Sequence, residues 1–140
     1  RKVYDLSPST YRREISRART FGFMRDVEKL WKAGFALGAS LDNTVAIGED
    51  VVINPEGLRY ADEFVRHKLL DAVGDLALAG LPLMATYRSF CGGHRMNFAV
   101  LEELFSDRAN YAIVDAPARR EPGHAEIGGL VQPAFGPDTH

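Results

Sequence analysis

The stretch from Asp62 to Ala79 constrains this chain most. It has no proline, and it ends on Gly80 and Pro82, a left-turn residue and a helix breaker. Phe64, Leu69, Leu70, Val73 and Leu76 recur at helical spacing, so the segment predicts the longest helix of the protein, with an apolar side that other elements must cover. His67, Asp71 and Asp75 also recur every four residues. Side chains at that spacing sit one above the other, and these three form a polar stripe along one face.

The partners of this helix can be read around it. Ser7-Pro8 is a capping residue followed by proline at the first helical position, opening a helix through about Ala18. A second helix is expected from Arg25 to Ala33, with Val27, Leu30 and Trp31 on one face and Gly34 as its stop. Between them, Thr20-Phe21-Gly22-Phe23 reads as a turn. Thr44–Ile47 and Val51–Ile53 read as two strands of a hairpin joined by Gly48-Glu49-Asp50, and Asn54-Pro55-Glu56-Gly57 as a turn. Leu83–Phe90 reads as a strand, His94–Phe105 as a helix and Tyr111–Val114 as a last short strand. This mixed order predicts an α+β fold, a two-layer sandwich of a small mixed or antiparallel sheet packed on helices. Residues 1–115 would form one domain, and 116–140, rich in proline, glycine and charge, an irregular tail.

Composition narrows the function classes. With 17 basic against 19 acidic residues and a net charge of −2, there is no electrostatic footprint for nucleic acid. No apolar run reaches the length of about 18 residues that a membrane-spanning helix requires, and no apolar signal region follows Arg1-Lys2. A single cysteine, Cys91, excludes an internal disulfide and fits a reducing compartment, so a cytoplasmic location is expected. The chain opens on Arg1 rather than methionine, directly into structured sequence, which suggests a piece of a longer protein.

Chemistry concentrates in three places. His67 and Asp71, four apart on one helix, could clip a divalent metal, and imidazole nitrogen with carboxylate oxygen suits zinc. The same spacing more often makes a surface hydrogen bond or weak ion pair, and Asp75 and Lys68 alone would read as solvated charges. The second place is Cys91-Gly92-Gly93-His94, where two glycines allow close backbone approach and a histidine opens a helix. His94 fits a functional role or a simple turn and cap, and Cys91 a ligand, a nucleophile or a small apolar strand residue. Thr20, beside a glycine and two aromatics, could line a pocket, or the aromatics could simply be core. His124 and His140 carry no assignment.

Taken together, Ile15-Ser16-Arg17-Ala18-Arg19-Thr20-Phe21-Gly22-Phe23, Gly57-Leu58-Arg59-Tyr60, the run Asp62 to Asp71, and Gly93-His94 with Asn97 resemble the C-terminal domain of the UDP-3-O-acyl-N-acetylglucosamine deacetylases of lipid A synthesis. The resemblance covers about Val3 to Val114. It implies zinc as cofactor, with His67 and Asp71 as two of three metal ligands. It makes His94 the catalytic histidine, Asp75 the carboxylate that orients it, Thr20 a threonine beside the oxygen at the metal, and Lys68 a lysine near polar substrate groups. Phe21, Phe23, Val27, Ala36, Ser40 and Thr44 fall where the family builds its acyl-chain passage. Where many members carry a basic residue and a serine before the Gly-His pair, this sequence reads Cys91-Gly92, which bears on local substrate contacts.

The resemblance implies an acylated UDP-N-acetylglucosamine as substrate. It also implies an N-terminal domain of the same polypeptide that holds the remaining histidine ligand and a glutamate base. The expected function is zinc-dependent hydrolysis of the N-acetyl amide. The competing expectation is a truncated module that holds nucleotide sugar or acyl chain without turnover. An upstream histidine with a neighbouring glutamate would separate the two.

Overall fold

The computed structural model describes residues 2–115, so the proposed tail and its histidines, His124 and His140, lie outside the described residues. The first element is a short helical turn, α1 (Pro8–Thr10), capped by the Ser7 hydroxyl, which accepts the Thr10 N–H at 3.1 Å. It runs on as wider π-helical turns over Tyr11–Ile15, closed by Ser16 N–H donating to the Tyr11 carbonyl at 2.9 Å. The cap is where the sequence puts it, but helical geometry ends at Ile15, short of the expected Ala18.

The main correction follows immediately. Thr20–Phe23 is not a turn but a strand, β1, and it pairs in parallel with β2 (Thr44–Ile47). The register sets Thr20 opposite Thr44, Phe21 opposite Val45, Gly22 opposite Ala46 and Phe23 opposite Ile47. Parallel neighbours cannot be joined by a tight turn, and here the crossover carries a helix, α2 (Met24–Lys32). Gly22, which reads as a break in the sequence, lies inside β1 in ordinary extended backbone, and a Cβ there would come to 3.4 Å from Val27 Cγ2 of α2, close to van der Waals contact. The α2 helix ends in a Schellman arrangement: Gly34 at φ +80° donates to the Trp31 carbonyl at 3.0 Å, and Phe35 N–H to the Leu30 carbonyl at 2.8 Å.

The expected hairpin reduces to one antiparallel bridge, Ile47 with Val52, so the described sheet is a two-stranded parallel pair rather than a mixed or antiparallel layer. Asn54 takes over the hydrogen bonding beyond it. Its Oδ1 accepts Ala46 N–H at 2.8 Å, and its Nδ2 donates to the Leu41 and Thr44 carbonyls, both at 2.8 Å. The turn expected at Asn54–Gly57 forms, with Gly57 N–H on the Asn54 carbonyl at 2.9 Å.

The long helix is α3 (Glu63–Leu76), tightening into a 3-10 turn over Ala77–Ala79 and stopped by Gly80 in the left-handed region at φ +77°. α4 (His94–Ser106) packs against it, with Ala72 and Leu101 both buried. The strands expected at Leu83–Phe90 and Tyr111–Val114 do not form. Each is an apolar run with no hydrogen-bonded neighbour among the described residues, and an apolar run becomes a strand only where another strand takes its backbone groups. From Leu81 to Phe90 every residue is exposed except Tyr87.

Buried apolar residues are few: Ile15, Ala18, Val45, Ala46, Ala72 and Leu101. Arg19 and Glu63 are buried among them. The Glu63 carboxylate accepts the Arg19 backbone N–H at 3.0 Å, Arg19 Nε at 3.0 Å, Arg19 Nη2 at 3.2 Å and the Arg59 N–H at 2.6 Å. Arg19 also donates to Glu56 and, at 2.7 Å, to the Gly57 carbonyl. This lock joins the residue before β1 to the first residue of α3, and so fixes Thr20 relative to the polar stripe one turn further along that helix. Burial alone would push the Glu63 carboxyl up. The Arg19 guanidinium and the Arg19 and Arg59 N–H groups outweigh it and hold the group below the ordinary carboxylate range.

Candidate metal and histidine site

The stripe on α3 forms the floor of the site. His67 Nε2 stands 3.3 Å from Asp71 Oδ1, and both side chains are largely shielded from water. His67 is held from behind: Nδ1 faces the Ala18 carbonyl at 3.4 Å, at the long end of hydrogen bonding, and the Phe21 and His67 rings meet edge to face at 6.1 Å between centroids. A carbonyl only accepts, so a hydrogen bond there uses the Nδ1–H tautomer and turns Nε2 toward Asp71, an imidazole nitrogen facing a carboxylate oxygen as two metal donors can.

The spacing suits the metal. Two ligands about 2.0–2.1 Å from a tetrahedral zinc lie about 3.3–3.4 Å from one another. Asp71 Oδ2 is occupied separately, by Lys68 Nζ at 2.6 Å, and the Lys68 ammonium also lies over the Phe21 ring, 5.8 Å from its centroid. Among the described residues no three His, Cys, Asp or Glu side chains are grouped to hold a metal.

His94 comes to the same place from the other helix. At the first turn of α4 its Nε2 is 4.0 Å from Asp71 Oδ2, while its Nδ1 meets Asp75 Oδ2 at 2.8 Å. Asp75 is one turn beyond Asp71 on α3, so the stripe carries both the clip and the carboxylate behind His94. Asn97 Nδ2 donates to that same Asp75 oxygen at 2.8 Å, and Tyr87 Oη donates to Asn97 Oδ1 at 2.6 Å. The Asn97 hydrogen bond, against opposing burial and helped by His94, holds the Asp75 carboxyl below its ordinary range. Asp75 is thus an anion that only accepts, and His94 Nδ1 is the donor. Nε2 is left as the free edge, directed to the Asp71 side.

The remaining expected residues lie along β1, α2 and β2. Thr20 is exposed at the start of β1, opposite Thr44, whose hydroxyl donates to Asn43 Oδ1 at 3.0 Å. Phe21 packs on Phe64, with 4.7 Å between ring centroids, and so belongs to the wall of the site. Phe23 is partly exposed, with the Arg25 guanidinium 5.0 Å from its ring centroid. Val27 faces Gly22. Ala36, at φ +54°, accepts the Trp31 indole N–H at 3.1 Å, and the Ser40 carbonyl accepts Thr44 N–H at 2.9 Å. These seven residues fall within one βαβ unit, but among the described contacts only Phe21 reaches His67 and none reaches His94, and Ala36 and Ser40 are exposed in the loop after α2. Cys91, at φ +50°, is exposed in the loop before His94 and is not a buried strand residue.

Sequence reasoning gave no role to Asn97, Tyr87, Arg19 or Glu63. Asn97 left a signal, since it stands three residues after His94 and shares its helix face. Tyr87 left none, because its partner is fixed only by the path of the loop.

The arrangement on the page is a His–Asp pair on α3 beside a second histidine backed by a carboxylate. The family model of the UDP-3-O-acyl N-acetylglycosamine deacetylases (LpxC) matches residues 1–106, and the chain belongs to that family. Enzymes named UDP-3-O-acyl-N-acetylglucosamine deacetylase from Brucella ovis, Brucella canis and Brucella suis are each 57% identical to it over 115 residues. The match covers 81% of this chain and 40% of each relative, so the chain spans well under half the length of the curated relatives it matches. No helix among the described residues is long and apolar enough to cross a membrane.

Proposed function

We propose that this chain is one wall of the active site of a zinc-dependent deacetylase that hydrolyses the N-acetyl amide of UDP-3-O-acyl-N-acetylglucosamine in lipid A synthesis in the cytoplasm. The carrying observation is the convergence of His67, Asp71 and the Asp75-supported His94 on one face of α3 and α4. His67 Nε2 and Asp71 Oδ1 would hold the metal. A catalytic zinc uses three protein ligands, so the third, together with a general base, comes from the upstream part of the polypeptide.

When bound, zinc supplies Lewis acidity toward water and the amide carbonyl. The residues of this chain handle the charges and protons. Amide hydrolysis builds negative charge on the carbonyl oxygen and must then protonate the departing amine. His94, with Nδ1 held on Asp75, offers Nε2 toward the reacting centre. As an imidazolium it stabilises the oxyanion and can donate its Nε2 proton to the amine. Thr20 adds a hydroxyl donor at the edge of β1, held in place by the Arg19–Glu63 lock. Lys68 offsets the charge of Asp71 and offers its ammonium to polar substrate groups. Phe21, Phe23, Val27, Ala36, Ser40 and Thr44 along the βαβ unit receive the acyl chain.

A module that merely held the nucleotide sugar would have no use for a carboxylate fixed behind an exposed histidine. The test is His94→Ala in the complete polypeptide. Turnover should fall by about 10²–10⁴-fold with zinc content unchanged. Loss of zinc in that variant would instead make His94 a ligand.

A further inference from the structure

The side chains behind His94 form a chain whose direction is fixed throughout. Asp75 is a carboxylate and accepts only, so the Asn97 amide must turn its Nδ2 toward it, at 2.8 Å. That leaves Asn97 Oδ1 facing Tyr87, and the tyrosine hydroxyl must donate, at 2.6 Å. Flipping the amide would set Oδ1 against a carboxylate oxygen, and reversing the tyrosine would leave two acceptors face to face. Asn97 is buried, at 2% exposure, so water does not substitute for either bond. Asp75 Oδ2 therefore receives two donors, Asn97 Nδ2 and His94 Nδ1, which pin it from both sides.

The same chain anchors a loop. Tyr87 is the only residue between Leu81 and Phe90 that is not exposed, and its hydroxyl bond to α4 precedes the Cys91-Gly92-Gly93 approach to His94. His94 itself is exposed, with 70% of its side chain open to water, so packing does not set its rotamer. The hydrogen bond to Asp75 does, and Asp75 is held by Asn97.

We infer that Asn97 and Tyr87 are positioning residues for the proposed reaction: the Tyr87–Asn97–Asp75 chain fixes the orientation and the Nδ1–H tautomer of His94, so that Nε2 alone faces the reacting centre. The inference rests on the deacetylase reading but adds two residues to it. They act through Asp75 without touching substrate. Outer partners of this kind typically change activity by about 10–100-fold when removed.

The experiment uses the complete, zinc-loaded polypeptide and UDP-3-O-acyl-N-acetylglucosamine. Asn97→Leu keeps the number and branching of the side-chain heavy atoms and removes both the donor to Asp75 and the acceptor for Tyr87. It should lower kcat by about 10–100-fold with KM within about twofold of the parent and zinc content unchanged. Tyr87→Phe removes one oxygen and should lower kcat by about 3–10-fold, the equivalent of one neutral hydrogen bond. It also keeps the inference testable should Asn97→Leu fail to fold. The second readout is nitrogen NMR of ¹⁵N-histidine-labelled protein, with the His94 signals identified by their loss in His94→Ala. At a pH alkaline enough to leave the ring neutral, the parent should show a single Nδ1–H tautomer, and both variants a mixture.

Parent-like kcat and an unchanged tautomer in both variants, with His94→Ala still slow, would overturn the positioning role and leave the deacetylase reading standing. Slow variants with a raised KM and an unchanged tautomer would overturn it too, since the pair would then serve substrate binding. An unimpaired His94→Ala would remove the functional reading itself.

Discussion

Glu63→Gln tests whether the buried Arg19–Glu63 pair holds the two halves of the site together. The native carboxylate has no exposed surface and accepts four bonds, three from Arg19 and one from the Arg59 N–H. Glutamine fits the same space but offers one acceptor oxygen, and its NH₂ must face either Arg59 N–H or the guanidinium, donor against donor. Arg19 would keep Glu56, whose side chain is half exposed, the Gly57 carbonyl and at most the bonds to the single retained oxygen, and it would lose its buried charged partner. Removing one partner of a buried ion pair costs about 3–5 kcal/mol, and the retained oxygen puts this substitution near the lower end. At about 2–4 °C per kcal/mol for a protein of more than about 150 residues, the melting temperature of the complete polypeptide should fall by roughly 6–12 °C. Circular dichroism melts of the parent, Glu63→Gln, Arg19→Met and the double variant would measure this and the coupling between the two residues. The double variant should lose less than the sum of the singles, because each single leaves the other group buried without its partner. A shift under about 2 °C, or effects that add within about 0.5 kcal/mol, would refute the lock.

Acid should act through the same groups. Glu63, Asp62 and Asp75 all have carboxyls held below their ordinary values. For Glu63 burial opposes this and Arg19 overcomes it, for Asp62 the main cause is the Arg66 guanidinium, and for Asp75 it is the Asn97 amide. A folded value below the unfolded one adds stability that is complete above the unfolded range, about pH 4–4.5, and is lost as pH falls through the depressed values. Stability should therefore be flat on the acid side down to about pH 4.5 and then drop, with a shallower drop in Glu63→Gln; a loss setting in above about pH 6 would contradict the assignment. On the proposed reading, in which His67 and Asp71 would supply two ligands of a zinc site that takes three, the 140-residue chain by itself should bind zinc weakly and show no deacetylation. Equilibrium dialysis and an activity assay, with and without the separately expressed upstream part, check this, and turnover by the chain alone would mean that a ligand or base had been misplaced.

What the sequence made legible follows the range of the interactions. α3 could be read because a helix is decided locally. Its apolar period, the His67–Asp71–Asp75 spacing and the Gly80 stop all lie within one segment. The β1–β2 pairing joins Phe21 to Val45 across an intervening helix, and no local pattern announces a parallel partner. Gly22 looked like a turn, yet it pairs opposite Ala46 inside β1, a partner that only the fold supplies. Leu83–Phe90 failed the opposite way: its composition suits a strand, but strand formation belongs to a pair, and no partner stands beside it among the described residues. The site divides along the same line. His67 and Asp71 share a helix, and their alignment could be derived from spacing. The approach of His94 to Asp75 spans two helices, and only the family resemblance anticipated it.

The polar interior was the least legible part, for an energetic reason. Pattern reading assigns charged residues to water, since a charge is expensive to bury unless it is paired. Glu63 in the first turn of α3 and Arg19 before β1 each look like solvated residues when read singly, yet each is buried because the other is. Asn97 is similar. Its amide suits a surface until Asp75 and Tyr87 occupy both ends of it. These paired exceptions surround the candidate site, tying β1 to α3 and α3 to α4, the second of which sets His94 beside the His67–Asp71 pair. The apolar pattern accounts for why helices form here, and the buried polar pairs for why they meet in this register.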